Sequence, residues 1–246
     1  MKTKTTEQKE VFMFLYSLLE ASEQTTNLVK WISVGAILLL VYLLGCVGVL
    51  GKKRRFDTKR IAFAGLCVAS SFVLALIKFK PVQYGGSVTL ASFLPVLLYA
   101  YVYGPVDGLM AGLVLGLLNF VESPYILTPA TFVLDYLLAF ASIGAMGFFG
   151  KLHRKKRGAL PLVLGSVCVF TLRFISHLLS GMIFFLNDAV WVSFPDWAMA
   201  NAFTYSFIYQ CIYIPFDMTI VLFSILTLAK TGVLDKLIKI ISKHRQ

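Results

Sequence analysis

Seven long apolar runs, separated by short polar stretches, limit what this chain can fold into. They cover residues 31–51, 61–79, 88–103, 106–121, 126–149, 160–186 and 202–229. A helix needs about 20 mostly apolar residues to cross the roughly 30 Å hydrocarbon core of a bilayer. Inside that core, backbone N–H and C=O groups find no water, and a helix satisfies them within one segment. The pattern therefore predicts an all-α integral membrane protein with seven spans. Composition points the same way. The chain is 58% hydrophobic and 14% charged, with a mean hydropathy of +0.80; about 25% charged is usual for a soluble domain.

The net charge of +11 raises the possibility of nucleic acid, but the basic residues sit in tracts beside the apolar runs. Lys52, Lys53, Arg54, Arg55, Lys59 and Arg60 lie between the first two runs. Lys151, Arg154, Lys155, Lys156 and Arg157 lie between the fifth and sixth, and Lys230, Lys236, Lys239, Lys243 and Arg245 follow the last. With seven spans all three tracts fall on one side, as expected of cytoplasmic loops. The opposite loops carry Glu122, Asp188 and Asp196, with Lys78 and Lys80 at one helix end. The expected topology is a multi-pass protein of the cell membrane, N-terminus outside and C-terminus cytoplasmic, with the lipid bilayer rather than nucleic acid as its partner.

About 30 residues precede the first run and "KKRR" follows it, which reads as a retained anchor rather than a cleaved signal peptide. Residues 11–21 are too short to span and suit an interfacial helix or packing on the anchor. The composition changes after Arg60. The expected organisation is an extension with an accessory transmembrane anchor and basic linker over 1–60, then a six-span unit over 61–246. No internal repeat is visible. Gly65 and Ala69, and then Ser71 and Ala75, form small-xxx-small pairs that permit close helix approach, within the bundle or against another subunit. Cys46, Cys67, Cys168 and Cys211 lie in apolar runs without ligand spacing and read as small hydrophobes.

Ionisable groups within spans are costly and are functional candidates. In the six-span unit these are Asp135, Arg173, His177 and Asp217. Arg173 and His177 are four residues apart and share a helix face; Arg173 could equally be a structural partner of Asp135 or Asp217. Proline disfavours helix in the residue before it, so "ESPYILTPA" should bend into a helix starting near Pro129, with Asp135 about two turns below the outer surface. His177, Tyr205, Tyr209 and Gln210 fall in the outer halves of their spans. The expected result is a pocket open to the outside. Tyr84, Tyr125, Tyr136, Phe185, Tyr205 and Tyr209 surround that level, and with a buried carboxylate they suit a flat or cationic ligand. No G-x-S-x-G, P-loop, H-E-x-x-H or Cys–His metal motif occurs. An intramembrane hydrolase using Ser180 or Ser87 with His177 remains an alternative, as does a purely structural role for the buried charges.

The stretches "GGSVTLASFLPVLLYAYVYGPVDGLMAGLVLGLL", "PYILTPATFVLDYLLAF", "RFISHLLSG" and "YSFIYQ" resemble the substrate-binding S component of energy-coupling factor (ECF) vitamin transporters, and most closely the thiamine-specific members. The resemblance covers most of residues 61–228 and leaves the N-terminal anchor outside. It implies a six-helix bundle with a substrate site near the outer face, capped by the loop between the first two core helices. An acid–tyrosine pair that meets the ligand matches Asp135 and Tyr136, with Asp where some members have Glu. The family's histidine matches His177. A tryptophan eight residues on is Phe185 here, and a Tyr-x-x-x-x-Asn matches Tyr205 and Gln210. Tyr84 is assigned to the capping-loop aromatic. Gly65 and Ala69 lie where the family docks its transmembrane coupling subunit, which works with two ATPase subunits. The implied activity is reversible binding of thiamine, whose fixed positive charge Asp135 would counter, with no cofactor and no covalent chemistry. The substitutions leave room for another vitamin or heterocycle as ligand.

Overall fold

A computed structural model describes residues 27–40, 42–43, 58–79, 86–153, 159–187 and 194–242. The described chain is almost wholly helical: α1 (Asn27–Leu40), α2 (Thr58–Leu76), α3 (Leu94–Tyr103), α4 (Pro105–Glu122), α5 (Pro129–Gly150, its last turns reaching His153), α6 (Leu160–Leu186), α7 (Ala202–Lys230) and α8 (Val233–Ser242). Two short strands, β1 (Lys78–Phe79) and β2 (Val88–Thr89), pair antiparallel between α2 and α3.

Local sequence sets the helix boundaries. Proline occupies the first turn of α3, α4, α5 and α6, where its missing N–H is no loss and its fixed φ suits the helix. Thr128 caps α5 in a reciprocal box with Thr131, and the Asn201 side chain accepts from Thr204 N–H at the start of α7. One residue, Gly104, joins α3 to α4 with φ 109°, a conformation that a Cβ would oppose.

Five helices, α2, α4, α5, α6 and α7, are long and apolar enough to cross a membrane. The molecule is an all-α membrane protein, and five of the seven expected spans appear among the described residues. The run at 88–103 differs from expectation. Its first residues form β2 and a tight turn, and the helix that follows has only 10 residues, about 15 Å of rise. It is apolar because it is enclosed by protein: residues Val96 to Tyr103 are all buried. The first run is described to residue 43 only. There Ala36, Val29, Ile32 and Leu40 of α1, with Leu43 beyond it, pack against Ala130, Val133, Leu134 and Leu138 of α5 and Ile183 of α6. Residues 11–21 lie outside the described residues.

The core joins α3, α4, α5, α6 and α7 around Leu97, Leu115, Phe140, Ile143, Val169, Phe170 and Val221. Helix α5 is irregular, with a π-helical turn over Val133–Leu138 and a 3-10 turn over Ser142–Ala145. It lies against a glycine face of α4: a Cβ at Gly112 would collide with the Phe140 carbonyl oxygen, and one at Gly116 with that of Tyr136. Such backbone approach is the use of small-xxx-small spacing in membranes. The basic C-terminal stretch, read as a loop-side tract, is helical over Val233–Ser242. In α8, Leu234, Leu237 and Ile238 pack on the core while Lys236 and Lys239 are exposed.

Candidate functional site

A cavity of about 310 Å³ opens among α4, α5, α6, α7 and the β1–β2 region. Asp135 and Tyr136 reach it from the π-helical turn of α5. A π turn inserts one extra residue into the helical ladder, and such turns are frequent at functional sites. The glycine face of α4 supplies the room this turn needs. From α6 come Arg173, His177, Ser180, Gly181 and Phe184; Asn119 and Glu122 come from α4. Tyr205, Tyr209, Gln210 and Tyr213 come from α7. Gly181 brings α6 and α7 together, since a Cβ there would strike the Ser206 hydroxyl.

Polar contacts are extensive. Asp135 Oδ1 lies 2.7 Å from His177 Nδ1, and Asp135 Oδ2 accepts from Ser180 Oγ at 2.5 Å. Arg173 Nη1 donates to Asp217 Oδ2 at 2.8 Å, and Arg173 Nε donates to His177 Nε2 at 3.4 Å. Asp217 Oδ1 accepts from the hydroxyl and the amide of Thr89, at 2.8 and 3.1 Å. Arg173 is thus a partner of Asp217, and Asp135 is left beside the cavity with His177 and Ser180 as its partners. Gln210 is engaged at both ends: its Nε2 donates to the His177 carbonyl at 3.1 Å, and its Oε1 accepts from Tyr213 OH at 2.6 Å. Tyr136 OH donates to the Ser123 carbonyl at 2.6 Å. Lys78 and Glu122 pair at 2.5 Å on the cavity wall.

Aromatic rings form much of the remainder. Tyr125 stacks on Phe184 with centroids 5.4 Å apart, and Tyr209 OH accepts from Gly86 N–H at 2.9 Å. Gly86 lies so close to the Tyr213 ring that any Cβ would overlap it. The β2 side of the cavity is therefore tied to α7 by backbone contact.

Of the residues expected from sequence, Asp135, Tyr136, His177, Tyr205 and Gln210 line this cavity. Phe185 does not. Its ring packs beside Tyr205 at 5.3 Å, and Phe184 takes the place on the wall. Helical geometry gives the reason: seven residues from His177 make about two turns and return to the same face, whereas eight overshoot by about 80°. Tyr84 lies outside the described residues. Gly65 and Ala69 are both exposed on α2, with open space where a Gly65 Cβ would be, whereas Ser71 and Ala75 point inward. Asn119 and Glu122 were missed, although at steps of three they continue the face of α4 that carries Gly108, Gly112 and Gly116. Thr89, Ser92 and Phe93 were missed because their stretch read as part of a span. Among the described residues, no group of three His, Cys, Asp or Glu side chains gathers as for a metal ion.

Comparison with known proteins settles the family. The model of the thiamine transporter protein family (Thia_YuaJ) matches residues 61–235. This chain belongs to the thiamine transporter protein family. The thiamine transporter ThiT of Bacillus subtilis (strain 168) is 29% identical over 148 residues, covering 54% of this chain and 77% of ThiT. A solved structure of ThiT from Listeria monocytogenes superposes with a TM-score of 0.62 at 22% identity, covering 73% of this chain and 96% of that one; the likeness shows a shared fold. As a member of the thiamine transporter family the chain is a thiamine-binding S component of an ECF transporter, and a membrane protein. The family is one of transporters, so the hydrolase alternative falls and Ser180 is a hydrogen-bond donor to Asp135 rather than a nucleophile.

Proposed function

We propose that thiamine binds in the cavity between α4, α5, α6 and α7, with its thiazolium held by the Asp135 carboxylate. One observation carries this reading. Asp135 borders the cavity and accepts hydrogen bonds from His177 and Ser180, while the arginine on the same helix as both is engaged by Asp217. A carboxylate in such a place is expensive unless a cation meets it. The rings of Tyr125, Phe184, Tyr205 and Tyr209 offer flat faces for the ligand, with cation–π attraction for its charge. In this reading Tyr136, anchored to Ser123, shapes the pocket wall, and His177 orients the carboxylate. Gln210 fixes the His177 backbone, Phe185 supports Tyr205 from behind, and Tyr84 contributes from the capping loop.

The outward-facing Gly65 and Ala69 of α2 are the proposed contact for the transmembrane coupling subunit, which with two ATPase subunits would drive uptake. Their exposure beside Leu66 and Val73 supports this. The proposed orientation places the cavity mouth outside, the N-terminus outside and α8 with its lysines on the cytoplasmic face, as the basic tracts favour. Residues 1–60 are proposed as a separate extension with its own anchor, consistent with a family match that begins at residue 61.

Titration of the purified chain with thiamine, followed by tryptophan fluorescence, tests the reading. Saturable binding is expected, and Asp135→Asn should weaken it by about 1.5–3 kcal/mol as a charge-assisted hydrogen bond is lost. No thiamine binding, or unchanged affinity in Asp135→Asn, would overturn it.

A further inference from the structure

Four ionisable side chains in and behind the cavity wall form one continuous row. It runs from Asp135 on α5 to His177 and Arg173 on α6 and on to Asp217 on α7. Counting donors assigns its protons. Arginine carries donors only. Arg173 Nε–H faces His177 Nε2 at 3.4 Å, so that nitrogen accepts. The imidazole proton then sits on Nδ1 and is donated to Asp135 Oδ1 at 2.7 Å. His177 is therefore an uncharged link. Asp135, bonded to this N–H and to the Ser180 hydroxyl, keeps a full negative charge.

The rest of the row decides whether that charge is felt by a ligand. Arg173 lines the cavity as Asp135 does, whereas Asp217 is buried behind it, 1% exposed. A guanidinium with no counter-charge in that wall would oppose the attraction of Asp135 for a cation. Phe93 lies under the guanidinium at 4.3 Å and Phe140 at 5.6 Å, but these rings bring no net charge. Asp217 does, and Thr89 holds it in place through hydroxyl and amide. Lys78 and Glu122, the other charged side chains on the wall, pair with each other and add none.

We infer that Asp217, which does not touch the cavity, determines its preference for a cationic ligand by cancelling the charge of Arg173. Asp135 is then the one uncompensated charge in the row. The inference rests on the thiamine reading, whose thiazolium is that cation. A unit charge a few ångströms from the ligand, at an effective dielectric near 20, changes affinity by roughly ten-fold or more.

The test titrates the full chain with thiamine and with an isostere whose thiazolium is replaced by a neutral thiophene ring, and reads the ratio of the two affinities. Asp217→Asn is expected to lower the preference for thiamine by roughly ten-fold or more, the size expected for one uncompensated charge. The double variant Asp217→Asn with Arg173→Gln should regain most of it, because both charges are then gone. Arg173→Gln alone should raise it. Equal weakening of both ligands in Asp217→Asn makes the residue merely structural and overturns the inference, as does an unchanged ratio. If Asp217→Asn does not fold, Arg173→Gln decides, and a ratio that fails to rise overturns the inference. Failure of the wild-type chain to bind thiamine, or to prefer it over the isostere, removes the thiamine reading and this inference with it. Failure confined to the variants removes this inference alone.

Discussion

Gly116 of α4 lies directly against the backbone carbonyl of Tyr136 in the π-helical turn of α5, with no room between them for a methyl group. The widened turn that carries Asp135 into the cavity thus depends on the absence of a side chain on the neighbouring helix. Gly116→Ala should push the two helices apart and cost about 1–3 kcal/mol, the usual range for overpacking. Thiamine affinity should fall along with the melting temperature in detergent. An alanine variant as stable and as tight as the wild type would show that the turn does not need this contact.

Ser180→Ala removes one of the two hydrogen bonds that Asp135 receives from the protein. The carboxylate remains and His177 still holds its other oxygen. The expected effect is a loss of about 1 kcal/mol in thiamine binding, as for one ordinary hydrogen bond, smaller than that of Asp135→Asn. Isothermal titration of both variants checks the order. A Ser180→Ala effect equal to or larger than that of Asp135→Asn would contradict the assignment of the negative charge as the main attraction.

Gly65→Leu and Ala69→Leu add bulk to an open face of α2 without touching the cavity lining. Thiamine binding by the isolated chain is expected to stay within about two-fold, since surface changes away from special features move free energies by about 0.5 kcal/mol or less. Uptake by cells that also supply the energising subunits should drop sharply. Normal uptake by both variants would remove this face as the docking surface.

Thr128 and Thr131 form the cap from which α5 enters the bundle. Thr128→Val keeps the shape and removes the hydroxyl, so it should lower stability by about 1 kcal/mol, as for the loss of a helix cap. The melting temperature in detergent measures this. No change would mean that Pro129 and tertiary packing alone set the start of the helix.

The helical membrane class was legible in the apolar runs, because lipid imposes the same demand on every span: about 20 apolar residues with internally bonded backbone. Asp135, Arg173, His177 and Asp217 were equally legible among the rare ionisable groups within those runs. Hydropathy could not show that α3 is short and enclosed, since a helix surrounded by protein is as apolar as one that faces lipid; only the surrounding helices show that Val96 to Tyr103 are buried within the molecule. Nor could sequence decide which acid Arg173 would take. Asp135 and Asp217 lie on different helices, and the choice depends on how α5 and α7 pack against α6. The same packing selects Phe184 over Phe185 for the cavity wall, because a one-residue rotation of about 100° matters only once the neighbouring helices are in place. Sequence alone determined the lipid-borne scaffold and the short set of charges within it, since both follow from the solvent each residue requires. The tertiary structure alone decided how those charges pair and which rings face the cavity, because those contacts join residues far apart in the chain.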